Sequence, residues 1–156
     1  LEEKVSFLHA DVNEVTRFIK PDSVDVITCN PPYFKLTESS FTNELDAFAI
    51  ARHEIHLTLD QLMKQTSHLL KMKGKAYFVH RPDRLMEILE TMRNNRIAPK
   101  KLQFIYPKQN KEANMILIEG IKDGKEDGFR VLPPLVVYNE EGEYSQKVKD
   151  VLYGEQ

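Results

Sequence analysis

One cysteine in 156 residues has nothing to pair with, so the chain carries neither an intrachain disulfide framework nor a multi-cysteine metal site, which suits a reducing cytoplasm. Long apolar runs are also missing: no stretch approaches the length that spans a bilayer, and no basic segment leads into an apolar core as a secretory signal would. The expected setting is therefore cytoplasmic, without a membrane partner. An excess of positive charge is absent as well. Lys and Arg number 22 against 24 Asp and Glu, for a formal net charge of -2 and a pI near 6.2, so any nucleic-acid site has to be a local patch. Internal repeats and low-complexity segments do not occur. Leu1 stands where an initiator methionine would, and the strand-like run Val5-Ser6-Phe7-Leu8 follows almost at once, so the chain is expected to be a piece of something longer.

What is present is enough apolar material, 41% of residues, for one core, with 29% charged residues to solvate it. Short β-branched or aromatic runs alternate with amphipathic stretches, the pattern of an α/β domain. A strand is predicted over 4–9, a short helix over 13–18, and a second strand over Val24–Cys29. The strand has to stop at Asn30-Pro31-Pro32, because consecutive prolines give no ladder donors and fix φ. Residues 34–50 read as a functional loop. Leu59, Leu62, Met63, Thr66, Leu69 and Leu70 recur at helical spacing, with Gly74 as the expected left-handed stop and a third strand over 75–80. Arg81-Pro82-Asp83 opens a helix with Leu85, Ile88, Leu89 and Met92 on one face, and strands over 101–107 and 114–121 form a hairpin. The tail, with Pro133-Pro134-Leu135-Val136-Val137-Tyr138, is expected to pack along the domain.

Asn30-Pro31-Pro32-Tyr33 carries the chemistry. An exocyclic amine of adenine is a poor nucleophile because its lone pair is delocalised into the ring. An Asn side-chain carbonyl and the backbone carbonyl of the next Pro supply two acceptors for the amine hydrogens, their spacing held by the rigid Pro-Pro unit. Tyr33 offers a flat face for an unstacked base. A rigid turn after a strand explains the tetrapeptide equally well on its own, but its position counts, since ligands of open α/β sheets collect at the carboxyl ends of strands.

Asp25-Val26-Ile27-Thr28-Cys29-Asn30-Pro31-Pro32-Tyr33 resembles the fourth-strand motif of Rossmann-like S-adenosylmethionine-dependent amino methyltransferases. Ala51-Arg52-His53-Glu54, His80-Arg81-Pro82-Asp83-Arg84-Leu85, and Pro134–Tyr138 through Gly142-Glu143-Tyr144 resemble the bacterial valine-tRNA adenine-N6 methyltransferase family. The resemblance implies a Rossmann-like class I methyltransferase sheet, N-terminally truncated, with a C-terminal antiparallel hairpin, so that residues 1–156 are the later part of one domain. It implies S-adenosylmethionine as cofactor and tRNA as partner. It places Asn30, Pro31, Pro32 and Tyr33 in catalysis, Asp11, Val12 and Asn30 at the cofactor, and Arg52, His53 and Arg81 at the substrate. Asp11 followed by Glu14 also reads as a helix cap. Related enzymes with this motif act on DNA adenine, ribosomal guanine N2 or protein glutamine, and a non-catalytic RNA-binding role is the competing class. The family's glycine-rich loop has no counterpart here, so the chain alone is expected to bind the cofactor poorly. The family's strand order, 3-2-1-4-5-7-6, would leave the opening strand without neighbours. That strand is then expected to be displaced, disordered, or paired with a second copy in a homo-oligomer.

Arg93, Arg96, Lys100, Lys101, Lys108 and Lys111 occupy 93–111 with no acid among them, an expected phosphate-binding patch in which Lys100 and Lys101 are candidate tRNA contacts, set against ordinary solvated charge. His53-Glu54-Ile55-His56 lacks the spacing of a zinc motif, so no metal is expected. His9, His68 and His80 read as structural or exposed, and Cys29 as a small buried hydrophobe.

Overall fold

The computed structural model describes residues 4–31 and 57–154. Its elements are β1 (Val24–Cys29), α1 (Leu59–Leu69), β2 (Leu70–His80), α2 (Leu85–Asn94), β3 (Ile97–Tyr106), β4 (Met115–Lys122), β5 (Arg130–Val131), β6 (Leu135–Val136) and α3 (Gln146–Tyr153). The described strands form one sheet in the order β1-β2-β4-β3-β5, with β6 also on β3. β1 and β2 are parallel, whereas β4 is antiparallel to both β2 and β3. β3 consequently points the same way as β1 and β2. Numbered as in the family, this is the contiguous block 4-5-7-6 that the resemblance implies.

α1 forms where its apolar spacing predicts. Thr58 caps it in a reciprocal box, its side chain accepting from Gln61 N–H at 3.2 Å while Gln61 Oε1 accepts from Thr58 N–H at 2.8 Å. Its buried face, Leu59, Leu62, Met63, Thr66, Ser67 and Leu69, joins Ile88 and Met92 of α2 over one side of the sheet. Phe78, Ile97, Ile116 and Ile118 fill the space beneath. Burying each such side chain fully contributes roughly 1.5–3 kcal/mol.

Three expectations are corrected. Residues 5–11 form no strand: Val5, Phe7 and Leu8 are 53%, 97% and 49% exposed. A strand needs a neighbour's ladder groups, and among the described residues β1 is paired only with β2. The helix over 13–18 is a 3-10 turn, Val12–Arg17. Gly74 does not stop α1, which ends at Leu69 and passes directly into β2. The left-handed residue is Lys73, φ 64°, at an irregularity in the β1–β2 register. Gly74 is needed there for space, since a Cβ would sit 2.9 Å from Lys71 O and 3.2 Å from Asp25 O. The predicted hairpin forms, with longer strands than expected, and the tail runs beside β3 through β6.

The amino end of the sheet is closed by a buried ion. Lys122, 6% exposed, donates to Asp22 Oδ1 at 2.5 Å and to Leu70 O at 2.6 Å, tying the approach to β1, the start of β2 and the end of β4 together.

In the middle of β4, a Cβ on Gly120 would overlap the Met92 methyl and lie 2.5 Å from Ile97 Cγ2. Both neighbours are fully buried. Gly120→Ala is expected to lose about 1–3 kcal/mol through overpacking, read by urea denaturation; an unchanged midpoint would show that Met92 yields without cost.

Candidate active site at the carboxyl end of the sheet

β1, β2 and β3 are co-directional, so their last residues emerge at one end. Cys29 pairs with Phe78, which brings Asn30 out beside the end of β2. Asn30 is exposed and Pro31 is buried, so the turn is anchored by its proline while the residue before it stays at the surface. The anchoring continues inward: Ile27 and Cys29 pack against the core. Burial pushes the Cys29 thiol up, which keeps it protonated and inert.

β2 ends in His80, 1% exposed, whose Nδ1 accepts from Arg81 N–H at 2.8 Å. Arg81 is exposed, with Nε 3.6 Å from Asp83 Oδ1. It leads into a 3-10 turn, Pro82–Arg84, and Arg84 is clamped on Glu87 at 2.7 Å. The structure thus brings Asn30, Pro31 and Arg81 to the ends of adjacent parallel strands. Asp11 and Val12 open the 3-10 turn that packs on α1, where Gln65 Nε2 donates to Asn13 O at 3.5 Å. Asp11 is a cap, its Oδ1 accepting from Asn13 N–H at 2.8 Å, while Glu14 pairs with Arg17 at 2.7 Å. Pro32, Tyr33, Arg52, His53 and the expected loop over 34–50 lie outside the described residues.

The basic run over 93–111 does not gather into one patch. Arg93 pairs with Glu126 at 2.9 Å, Arg96 with Asp123 at 2.7 Å, and Lys101 with Glu119 at 3.1 Å. Lys100 donates to the carbonyls of Lys125 and Asp127 at 2.5 and 2.6 Å. The acids come from β4 and the segment after it, invisible from the run itself. Only Lys108 and Lys111 of the run sit in the β3–β4 turn, at the same end as Asn30. Among the described residues no group of three His, Cys, Asp or Glu side chains could hold a metal, and no helix is long and apolar enough to cross a membrane.

No protein-family model matches the sequence. Among curated proteins, the tRNA1(Val) (adenine(37)-N6)-methyltransferase of Aliivibrio salmonicida is 30% identical over 112 residues, 72% of this chain and 47% of that protein. The protein of the same name from Dyadobacter fermentans is 24% identical over 140 residues, 90% of this chain and 56% of its own length. The chain is a homologue of the bacterial tRNA1(Val) adenine-N6 methyltransferases. It spans about half the length of these relatives. The fold agrees. A protein described as a predicted O-methyltransferase, Atu636 from Agrobacterium tumefaciens, superimposes with a TM-score of 0.74 at 18% identity, covering 97% of this chain and 64% of that one. The putative DNA modification methylase TTHA0409 from Thermus thermophilus, in complex with S-adenosyl-L-methionine, does so at 0.53 and 17% identity, covering 90% of this chain and 59% of that one. The sheet therefore has the Rossmann-like fold that these methyltransferase structures share.

Of the two expectations for His80, structural or exposed, the fold decides for structural, since it is buried with its ring turned back onto the Arg81 amide. Burial holds its imidazole below the ordinary range, and the Arg84 guanidinium adds to the effect. The unfolded chain binds a proton that the folded chain resists, so stability is lost as pH falls through the unperturbed value of 6.5. Urea unfolding at pH 7.5 and 5.5 should show this loss in the wild type and a smaller one in His80→Asn; equal losses would exclude His80 as its source.

Proposed function

We propose that this chain carries the catalytic turn and acceptor side of an S-adenosylmethionine-dependent methyltransferase that modifies the N6 amine of adenine in tRNA, in the cytoplasm. The observation that carries this reading is the position of Asn30-Pro31, exposed at its asparagine and anchored by its proline, at the carboxyl end of β1 in a β1-β2-β4-β3 sheet. Its support on the acceptor side is the 30% identity to the Aliivibrio salmonicida protein.

The residues present fit part of the cofactor. Asp11 is an exposed carboxylate with acceptor capacity beyond its single capping bond, suited to an adenine amine, and Val12 beside it is 37% exposed. No glycine precedes Gly74, so the close backbone approach needed by the rest of the molecule has no provider in this stretch. S-adenosylmethionine, when bound, supplies an electrophilic methyl group. The side-chain carbonyl of Asn30 and the backbone carbonyl of Pro31 accept the two amine hydrogens of the target base, aiming the nitrogen lone pair along the line of attack. Transfer of that methyl to the amine would acidify the amine proton, which would leave to solvent, and the sulfur would depart as the neutral thioether, so Asn30 and Pro31 need no ionised base beside them. Tyr33 stacks on the target base, and Arg81, just past the end of the neighbouring strand, meets its flanking phosphate.

A non-catalytic RNA-binding role is the second reading, favoured by the exposed, strandless residues 5–11 on the cofactor side. The full-length natural protein, incubated with labelled S-adenosylmethionine and unmodified tRNA, is expected to produce N6-methyladenosine. Asn30→Ala should lower the rate by about a hundredfold or more. Label in DNA, in guanine or in protein would keep the catalytic turn and overturn the substrate, whereas RNA binding without methylation would leave the second reading.

A further inference from the structure

At the same end of the sheet as Asn30, the β3–β4 turn and the tail enclose a cleft of about 450 Å³ whose lining includes Lys108, Gln109, Asn110, Lys111, Tyr138 and Glu140. Three observations bear on what it could hold. The first is charge. Arg93, Arg96, Lys100, Lys101 and Lys122 are each paired with an acid, but exposed Lys108 and Lys111 make no ion pair among the described residues.

The second is an exposed aromatic pair. Tyr138 and Tyr144 stack with ring centroids 5.4 Å apart and planes 14° apart, yet remain 37% and 39% exposed. A solvent-facing stack of this kind is more than the core requires.

The third is rigidity. Tyr138 and Tyr144 form an antiparallel bridge, and Tyr138 N–H donates to Pro107 O at 3.0 Å. Ser145 N–H donates to Val137 O at 2.8 Å, and Gly142 turns the chain between the two tyrosines at φ 87°. The aromatic pair is thereby fixed to the end of β3. β1 to β3 is three strand spacings and β6 one more, which places the cleft roughly 15–20 Å across the sheet end from Asn30.

We propose that this cleft binds a nucleotide of single-stranded RNA flanking the target base. Its base lies against Tyr138, which Tyr144 backs by stacking on it, its edge meets the Gln109 and Asn110 amides, and its phosphates lie on Lys108 and Lys111. Cations along the backbone combined with aromatic faces for bases is the arrangement that single-stranded nucleic acid selects. Acids flank the cleft as well: Glu143 pairs with Lys149 at 3.4 Å, Glu140 is in the lining and exposed Glu112 follows Lys111, so phosphate is confined to the face that Lys108 and Lys111 share. This inference rests on the RNA-methyltransferase reading and adds to it a second contact point, remote from the methyl group.

The test is fluorescence anisotropy of the full-length protein with a labelled RNA stem-loop carrying an adenine-containing loop, over a salt series. Lys108→Ala/Lys111→Ala is expected to raise Kd about tenfold and to lower the slope of log affinity against log salt by about 1.4, two phosphates' worth on a single strand. Tyr144→Leu should weaken binding about tenfold, while Tyr144→Phe, which keeps the stack, stays near wild type. Methylation at saturating RNA should survive in the lysine variant, with the loss confined to KM. An unchanged affinity and salt slope in the lysine variant would overturn the cleft, even where Asn30→Ala still abolishes methylation. A wild type that binds and methylates no RNA would overturn both readings. The lysine substitutions lie on an exposed turn, so the outcome does not depend on whether the tyrosine variants fold.

Discussion

The arrangement depends on one insertion: β4 runs antiparallel between β2 and β3, and its ladder to β2 is continuous from Lys75–Ile121 to His80–Ile116. Because β4 reverses between them, β2 and β3 point the same way, and β1, parallel to β2, joins them. The ends of three strands then open on one side. The constraint is steric as well as directional. Gly120 in β4 leaves the space that Met92 and Ile97 occupy, so α2 settles close on the sheet and the hairpin keeps its register.

The two ends of the sheet are used differently. At the amino end, charges are consumed in pairing: Lys122 with Asp22, Arg96 with Asp123, and Lys71 with Asp25. Lys122 is the demanding case, since a buried ammonium is tolerable only with its partners in place. The Lys122 contact holds the Asp22 carboxyl below its usual range. At the carboxyl end the polar groups face outward instead, with Asn30 and Arg81 exposed and Lys108 and Lys111 outside any ion pair among the described residues. Ligands of open α/β sheets gather at that end because strand-to-helix and strand-to-strand turns there are free to vary above a rigid base.

Much of this was legible in the residues. The helical spacing from Leu59 to Leu69, the break at Asn30-Pro31 and the hairpin around 108–112 are local signals, and each reports a local property: one apolar face, a missing donor, a turn. Gly74 misled because a glycine after a helix serves equally as a cap or as space for a neighbour, and only the approach of Asp25 O decides. The opening run of Val5, Phe7 and Leu8 misled for the converse reason, as strand propensity is realised only beside another strand.

By itself the sequence determined the two helices packed on the sheet, the four strands β1 to β4 and where β1 must end, since periodicity and proline chemistry act within a few residues. Tertiary structure alone decided which charges remain available. Lys100 and Lys101 look like Lys108 and Lys111 in the chain, but β4 and the segment following it set carbonyls and carboxylates beside the first two, whereas Lys108 and Lys111 make no ion pair among the described residues. Whether a charge is neutralised depends on what another strand brings within a few ångströms, and that distance is set by the fold.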